Sequence, residues 1–249
     1  MALPRDRKSV KKQPEPTCFI TPANLLVHEA NSLQQMAIAP WPAKLSWWKQ
    51  TLLSASNRAK NEGLLDAYVW FEAHDPRASV DDPLHFIELG AQIVPGNQPL
   101  VSYFFAIGVS GSGSGRCGLR KMHFDLDTST QSAEPKPTMH LQLAGQTPSC
   151  LSSWYPQNAF DHLKPKLDKP RVPCLPKSFA LLAHLALLEY HSTDESLQHF
   201  LFDPKWISIV KKSEQALLKP HFGYCCDWFA HAGNESRSLL SHFYGLPRL

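Results

Sequence analysis

The chain has 249 residues, of which 43% are hydrophobic and 19% are charged, and its formal net charge is +3 at pH 7. This composition supports a packed core, so it excludes a wholly disordered or fibrous protein. The positive charge lies mainly in the first dozen residues, so it does not establish nucleic-acid binding through a broad positive field. No apolar run approaches the roughly 18 residues that a membrane span needs.

Cysteine usage and the N-terminus bear on the cellular compartment. The six cysteines contain no C-x-x-C pair, a spacing that does not fit a structural zinc site. The N-terminus is charged and is not followed by the apolar segment of a signal peptide. We therefore expect a cytoplasmic protein with reduced thiols.

The N-terminal part is predicted to be helical after a short arm. Residues 1–17 carry charge and proline without hydrophobic periodicity, so we expect a disordered basic arm followed by a single α+β domain over residues 18–249. Two helices are predicted within residues 18–62. Thr21 and Pro22 mark the start of the first helix, and the second follows Pro42 and ends at Gly63.

Residues 63–145 change to the pattern of a sheet. The segments "LLDAYVWFEA", "LHFIELGAQIV", "LVSYFFAIGV", "CGLRKMHFDLD" and "TMHLQLAG" are short and rich in aromatic and β-branched residues. "PGNQP" and "SGSGSGR" are typical hairpin connections. The sequence therefore predicts a mainly antiparallel sheet of about five strands, with helices before and after it.

The last hundred residues return to helix. Residues 146–176 form a proline-rich connection, and residues 177–249 are predicted to be helical. "PKSFALLAHLALLEYH" is apolar around most of its circumference, so we expect it to lie buried against the sheet. "DPKWISIVKKSEQALLK" predicts an amphipathic helix that ends before Pro220, and "NESRSLLSHFYG" predicts a last short helix.

One candidate functional site follows from alternation in two strands. In "RKMHFDLD" polar and apolar residues alternate from Lys121 onward, and those of "MHLQL" alternate in the same way. If the two strands pair with their apolar sides inward, their polar side chains converge on the opposite face. The residues concerned are Lys121, His123, Asp125, Asp127, His140 and Gln142.

Aspartate and imidazole groups together suggest hydrolytic chemistry. We predict catalytic roles for His123, Asp125, Asp127 and His140. Asp125, Asp127 and His140 are the candidate ligands for Mg²⁺ or Mn²⁺, although no cofactor is certain. Lys121, Gln142 and Arg171 are candidate groups for binding substrate or phosphate. Two alternatives stay open: a solvated or partner-covered sheet face, and a structural cluster in which Arg171 neutralises a buried aspartate.

The same residues carry a family resemblance. "HFDLD", "HLQLAG", "RVP" and the leucine-rich helix resemble an uncharacterised bacterial family with the pattern R-F-D-Y-D, S-H-L-x-h-G and R-I-P, over roughly residues 84–191. Members occur near mobile elements and antiviral defence genes. The matching positions are Asp125, Asp127, His140 and Arg171, while Lys121 replaces the family's arginine unless Arg120 serves. The spacer before "RVP" is longer than in the family.

Two functional hypotheses result. The first is an accessory or effector subunit of a bacterial antiphage-defence or mobile-element system, acting through a protein partner encoded nearby or through nucleic acid. The alternative is a metal-dependent hydrolase, a nuclease or a phosphodiesterase, that uses the aspartate and histidine cluster.

Overall fold

The structure, a computed structural model, describes residues 20–73, 85–97, 99–110, 116–126, 139–143, 155, 159–160, 172–175, 177–190 and 194–230. The predicted basic arm, the predicted last helix, Asp127 and Arg171 lie outside these ranges. The fold is α+β, as predicted.

The N-terminal helices begin and end at the residues that the sequence signals. Helix α1 spans Pro22–Ala37, and the Thr21 hydroxyl accepts a hydrogen bond from the Asn24 N–H at 3.2 Å. Helix α2 spans Trp48–Glu62 and follows a single 3-10 turn at Ala43–Leu45. It ends at Gly63, whose φ of 69° lies in the left-handed region that glycine adopts without strain.

The sheet is an antiparallel meander in which each strand pairs with the next one along the chain. The five predicted strands are confirmed, and a two-residue sixth strand extends the sheet. The strands are β1 (Leu65–Ala73), β2 (His85–Val94), β3 (Leu100–Ser110), β4 (Arg116–Leu126), β5 (Met139–Leu143) and β6 (Val172–Pro173).

Within the described residues, three helices follow the sheet. They are α3 (Phe179–Tyr190), α4 (Glu195–Leu201) and α5 (Pro204–Ala230). The prediction that the last of these ends before Pro220 is wrong. A proline inside a helix removes one backbone hydrogen bond, and here the turns on either side continue the helix.

Helices cover one face of the sheet and form the main core with it. Tyr103 and Ile87 on the sheet lie in one buried cluster with Leu33 of α1, Leu52 of α2 and Phe179 of α3. The opposite face carries a smaller buried cluster, made of Phe104, Ala106, Tyr155 and Phe160. None of the helices within the described ranges is long and apolar enough to cross a bilayer.

Candidate functional site on the polar sheet face

The pairing of β4 with β5 brings the predicted polar residues together. In this register His123 lies opposite Gln142 and Asp125 lies opposite His140. Side chains of paired residues share a face, so the predicted convergence of these four residues is confirmed. His140 Nε2 lies 3.9 Å from Asp125 Oδ2. We call this surface, which lies opposite the helices, the polar sheet face.

Three of the residues on the polar sheet face are buried, while Asp125 and Gln142 are partly exposed. Lys121 is 1% exposed, His140 is 3% exposed and His123 is 8% exposed. The alternative of a solvated face therefore does not hold for these residues. Phe160 covers Lys121 and lies with Tyr155 in the small buried cluster on this face, and both rings belong to the predicted proline-rich connection.

Two glycines make room for the two covering rings. Gly108 of β3 pairs with Gly118 of β4. A Cβ atom at Gly108 would overlap the Tyr155 side chain, and a Cβ atom at Gly118 would overlap the Phe160 ring. The aromatic cover can therefore approach the sheet only because both positions lack a side chain.

Each covering ring also contacts a buried charged group. The Tyr155 hydroxyl donates to Glu88 Oε2, and the Tyr68 hydroxyl donates to Glu88 Oε1 at 3.0 Å. Lys121 Nζ lies 5.1 Å from the centroid of the Phe160 ring, within the range of a cation–π interaction. Hydrogen bonds and this interaction compensate part of the free energy required to bury the two charges.

His123 is held as a neutral imidazole. Burial lowers the pKa of His123 to about 3, and the nearby charge of Lys121 contributes to the same shift. Its Nδ1 atom is hydrogen-bonded to the Ser102 hydroxyl at 3.1 Å. Its Nε2 atom is buried and has no hydrogen-bond partner among the residues that the structure describes. The ring could act as a base only if a substrate reached the buried Nε2 atom.

The metal prediction stays a prediction. Asp125 and His140 are adjacent, whereas the third proposed ligand, Asp127, lies outside the described residues. Within the described ranges no group of three or more His, Cys, Asp or Glu side chains could hold a metal ion. Arg171 also lies outside those ranges, so its predicted contact with phosphate or with an aspartate is untested.

Glu88, Ser102 and Tyr155 contact this site but were not among the residues predicted from the sequence. A signal for Glu88 was present, since it is the one charged residue in the apolar part of "LHFIELGAQIV". A carboxylate at a central strand position implies a buried partner. No comparable signal marked Tyr155, because its contact with Glu88 joins residues 67 positions apart.

Comparison of the chain with known protein families, with curated proteins and with solved structures found no match in any of the three.

Proposed function

We propose that this chain is an accessory or effector subunit that acts through a protein partner, and that the partner covers the outer face of α3. The observation that carries this proposal is the exposure of leucine on a helix that is apolar around most of its circumference. Leu185 is 42% exposed and Leu188 is 38% exposed.

The inner face of α3 belongs to the main core, while its outer face exposes leucine beside a single charged residue, Glu189. Phe179, Ala183 and Leu187 are buried. Leu181 is partly buried against the core and lies one helical turn before Leu185, so these leucines form a stripe with Leu188 at helical spacing. A helix that is apolar around most of its circumference is normally buried inside a protein or an interface, so the exposed leucine stripe supports burial against a partner.

The chemistry beside the stripe favours a protein over a lipid surface. Helices that lie on membranes combine an apolar face with lysine and arginine. Helix α3 contains neither residue, and its one charged side chain is the acidic Glu189, next to Leu188. Full burial of one leucine contributes about 1.5–3 kcal/mol, so the stripe could anchor an interface completed by polar contacts around it.

A separate observation, the family resemblance, supports the choice of biological system in which the partner acts. The resemblance of "HFDLD", "HLQLAG" and "RVP" to the bacterial family favours a partner from an antiphage-defence or mobile-element system. A partner encoded next to this chain is therefore the one to examine first.

Co-expression tests the proposal. The tagged chain is produced with the product of each flanking gene in turn, and the eluted complexes are sized. We expect one product to co-elute with the wild type and to be lost when Leu185→Lys and Leu188→Lys are combined. Leu53→Lys is the matched control, since Leu53 is 43% exposed on α2. The proposal would be overturned if the double variant still binds the product or if no product binds the wild type. It would also be overturned if the chain associates with itself through α3 instead.

A second candidate is the hydrolase, favoured by the adjacent Asp125 and His140 side chains. In this function Asp125 would bind Mn²⁺ or Mg²⁺. The test is the melting temperature with and without Mn²⁺, for wild type and Asp125→Asn. A metal-dependent rise in the wild type alone supports the hydrolase, and equal melting temperatures argue against it.

A further inference from the structure

One side of α5 carries a row of lysine side chains. Trp206, Val210 and Leu217 are buried in the main core and mark the inner side of this helix. The helix turns by about 100° per residue, so the residues opposite these three face outward. Four exposed lysines lie on the outer side, within about 21 Å along the helix axis. We call this surface the lysine face, and its residues are Lys205, Lys211, Lys212 and Lys219.

The charges of the lysine face are not neutralised within the part of the chain that the structure describes. The ion pairs found there join other residues, and none of the four ammonium groups takes part. Glu214 is the one acidic residue between Lys205 and Lys219. It lies about 160–180° around the helix from Lys205 and Lys212, so it does not face either of them. The lysine face therefore presents four positive charges to a ligand.

The composition of the lysine face favours nucleic acid over a protein or a membrane. Protein interfaces are depleted in lysine and are anchored by apolar and aromatic side chains. Residues 205–219 include no exposed large hydrophobic side chain. A helix that lies on a membrane buries its apolar side in the lipid, but the apolar side of α5 already belongs to the core. A row of unpaired lysines along one helix is typical of a surface that binds a phosphate backbone.

We propose that the lysine face of α5 binds the phosphate backbone of duplex nucleic acid without reading its sequence. Sites for single strands stack bases on exposed aromatic side chains. The one aromatic residue in the stretch 205–219 is Trp206, which is buried. A lysine ammonium group is a point charge that displaces counterions from phosphate, so its contribution does not depend on the bases. The inference adds a second ligand to the protein partner proposed for α3 and does not depend on that partner.

Binding of labelled duplex DNA tests the inference. Fluorescence anisotropy is measured with the full chain for two unrelated duplexes of about 20 base pairs at several salt concentrations. We expect equal affinity for the two sequences. The logarithm of the binding constant should fall with the logarithm of salt concentration with a slope of about −3 or steeper, since each phosphate contact contributes about −0.9. Duplex RNA of the same length distinguishes the two sources of such a backbone, and binding of either supports the inference.

A pair of variants shows whether the lysine face is the binding surface. Lys212→Gln combined with Lys219→Gln should weaken binding at low salt at least about tenfold and make the salt slope shallower by about 2. The matched control is Lys49→Gln combined with Lys60→Gln, which removes the same charge from exposed positions of α2. The control should bind within about twofold of wild type. Both variants should keep the wild-type melting temperature, since all four positions are exposed.

Several outcomes would overturn the inference. One is that neither duplex binds, or that affinity depends on base sequence. Another is that the α5 variant binds as tightly as the control, which would place binding elsewhere, such as in the basic N-terminal residues. The inference also fails if single-stranded DNA, polyglutamate or vesicles containing phosphatidylserine bind as tightly as the duplex.

Discussion

The carboxyl group of Glu29 in α1 accepts a hydrogen bond from the backbone N–H of Phe179, the first residue of α3, with its Oε2 atom 3.3 Å from that nitrogen. The Tyr103 hydroxyl of β3 donates to the same carboxyl group. Glu29 is fully buried, so this contact joins two helices and the sheet inside the core. It fixes the start of the helix whose outer face we assign to a partner.

Glu29 should make the stability of the protein depend on pH. Burial raises the pKa of Glu29 to about 8 from its usual 4.5, and the hydrogen bonds from Phe179 and Tyr103 offset part of this rise. Because the folded pKa lies above the unfolded one, the stabilising contribution is complete below pH 4.5 and is lost as pH rises through 8. Stability should therefore decline between these values.

The variant Glu29→Gln tests this relation, because its amide oxygen can accept the same hydrogen bonds without ionising. The unfolding free energy of the wild type should fall as pH rises from 5 to 9, and that of Glu29→Gln should not. The difference between the two proteins should therefore change by about 3–5 kcal/mol in favour of the variant, since one pKa unit corresponds to about 1.4 kcal/mol. Urea unfolding at both pH values measures the difference. The exposed Glu72→Gln is the control. Parallel pH profiles for Glu29→Gln and wild type would contradict the assignment.

The aromatic cover should depend on the glycine pair beneath it. Gly108→Ala or Gly118→Ala forces Tyr155 or Phe160 away from the sheet, and we expect each to lower the unfolding free energy by about 1–3 kcal/mol. Gly223→Ala is the control of opposite sign. It has open space around it within α5, so alanine there should stabilise by about 0.5–1 kcal/mol. If alanine changes the unfolding free energy equally at all three positions, Tyr155 and Phe160 do not pack closely on Gly108 and Gly118.

His123 should contribute to loss of stability in acid. Its pKa lies near 3 in the folded protein and near 6.5 when unfolded, so the unfolded chain takes up the proton first. The wild type should lose stability as pH falls from 6.5 towards 3. His123→Asn should show a shallower decline, and the exposed His199→Asn should match wild type. The measurement is the melting temperature at several pH values in this range. If the melting temperatures of His123→Asn and wild type fall equally with pH, His123 is not a buried neutral imidazole.

Asp194 should stabilise α4 mainly as its N-cap. Its carboxylate accepts a hydrogen bond from the Leu197 N–H at 3.0 Å and also pairs with Lys44. We expect Asp194→Ala to lower the unfolding free energy by about 1 kcal/mol. Asp194→Asn keeps the cap and loses only a partly exposed ion pair, so its cost should be smaller. If the two variants are equally destabilised, the ion pair rather than the cap is the main contribution.

The sequence predicted those parts of the fold that depend on local signals. Thr21 with Pro22 marked α1 correctly, and alternation in "RKMHFDLD" placed Lys121, His123 and Asp125 on one face. Such patterns repeat within a few residues, so they can be recognised without knowing which segments meet. Pro220 misled the prediction because the surrounding helix continues despite the lost hydrogen bond.

The aromatic cover over Lys121 and Glu88 could not be predicted in this way. It depends on Tyr155 and Phe160 meeting two glycines of β3 and β4, a contact between segments that are distant in the chain. Alternation of polar residues is the same for a solvated face and for a covered one. The exposed side of α3 was missed for a related reason, since an apolar helix predicts burial but does not say whether the cover belongs to the same chain.

The most direct test of the account compares one substitution on each of the two surfaces. The affinity of the flanking-gene product that co-elutes with the chain is measured by calorimetry for wild type, Leu188→Lys and Asp125→Asn. The account predicts that Leu188→Lys weakens binding at least about tenfold while Asp125→Asn leaves it unchanged. The account is contradicted if Asp125→Asn abolishes binding and Leu188→Lys binds as tightly as wild type. That result would indicate that the polar sheet face, rather than α3, binds the partner.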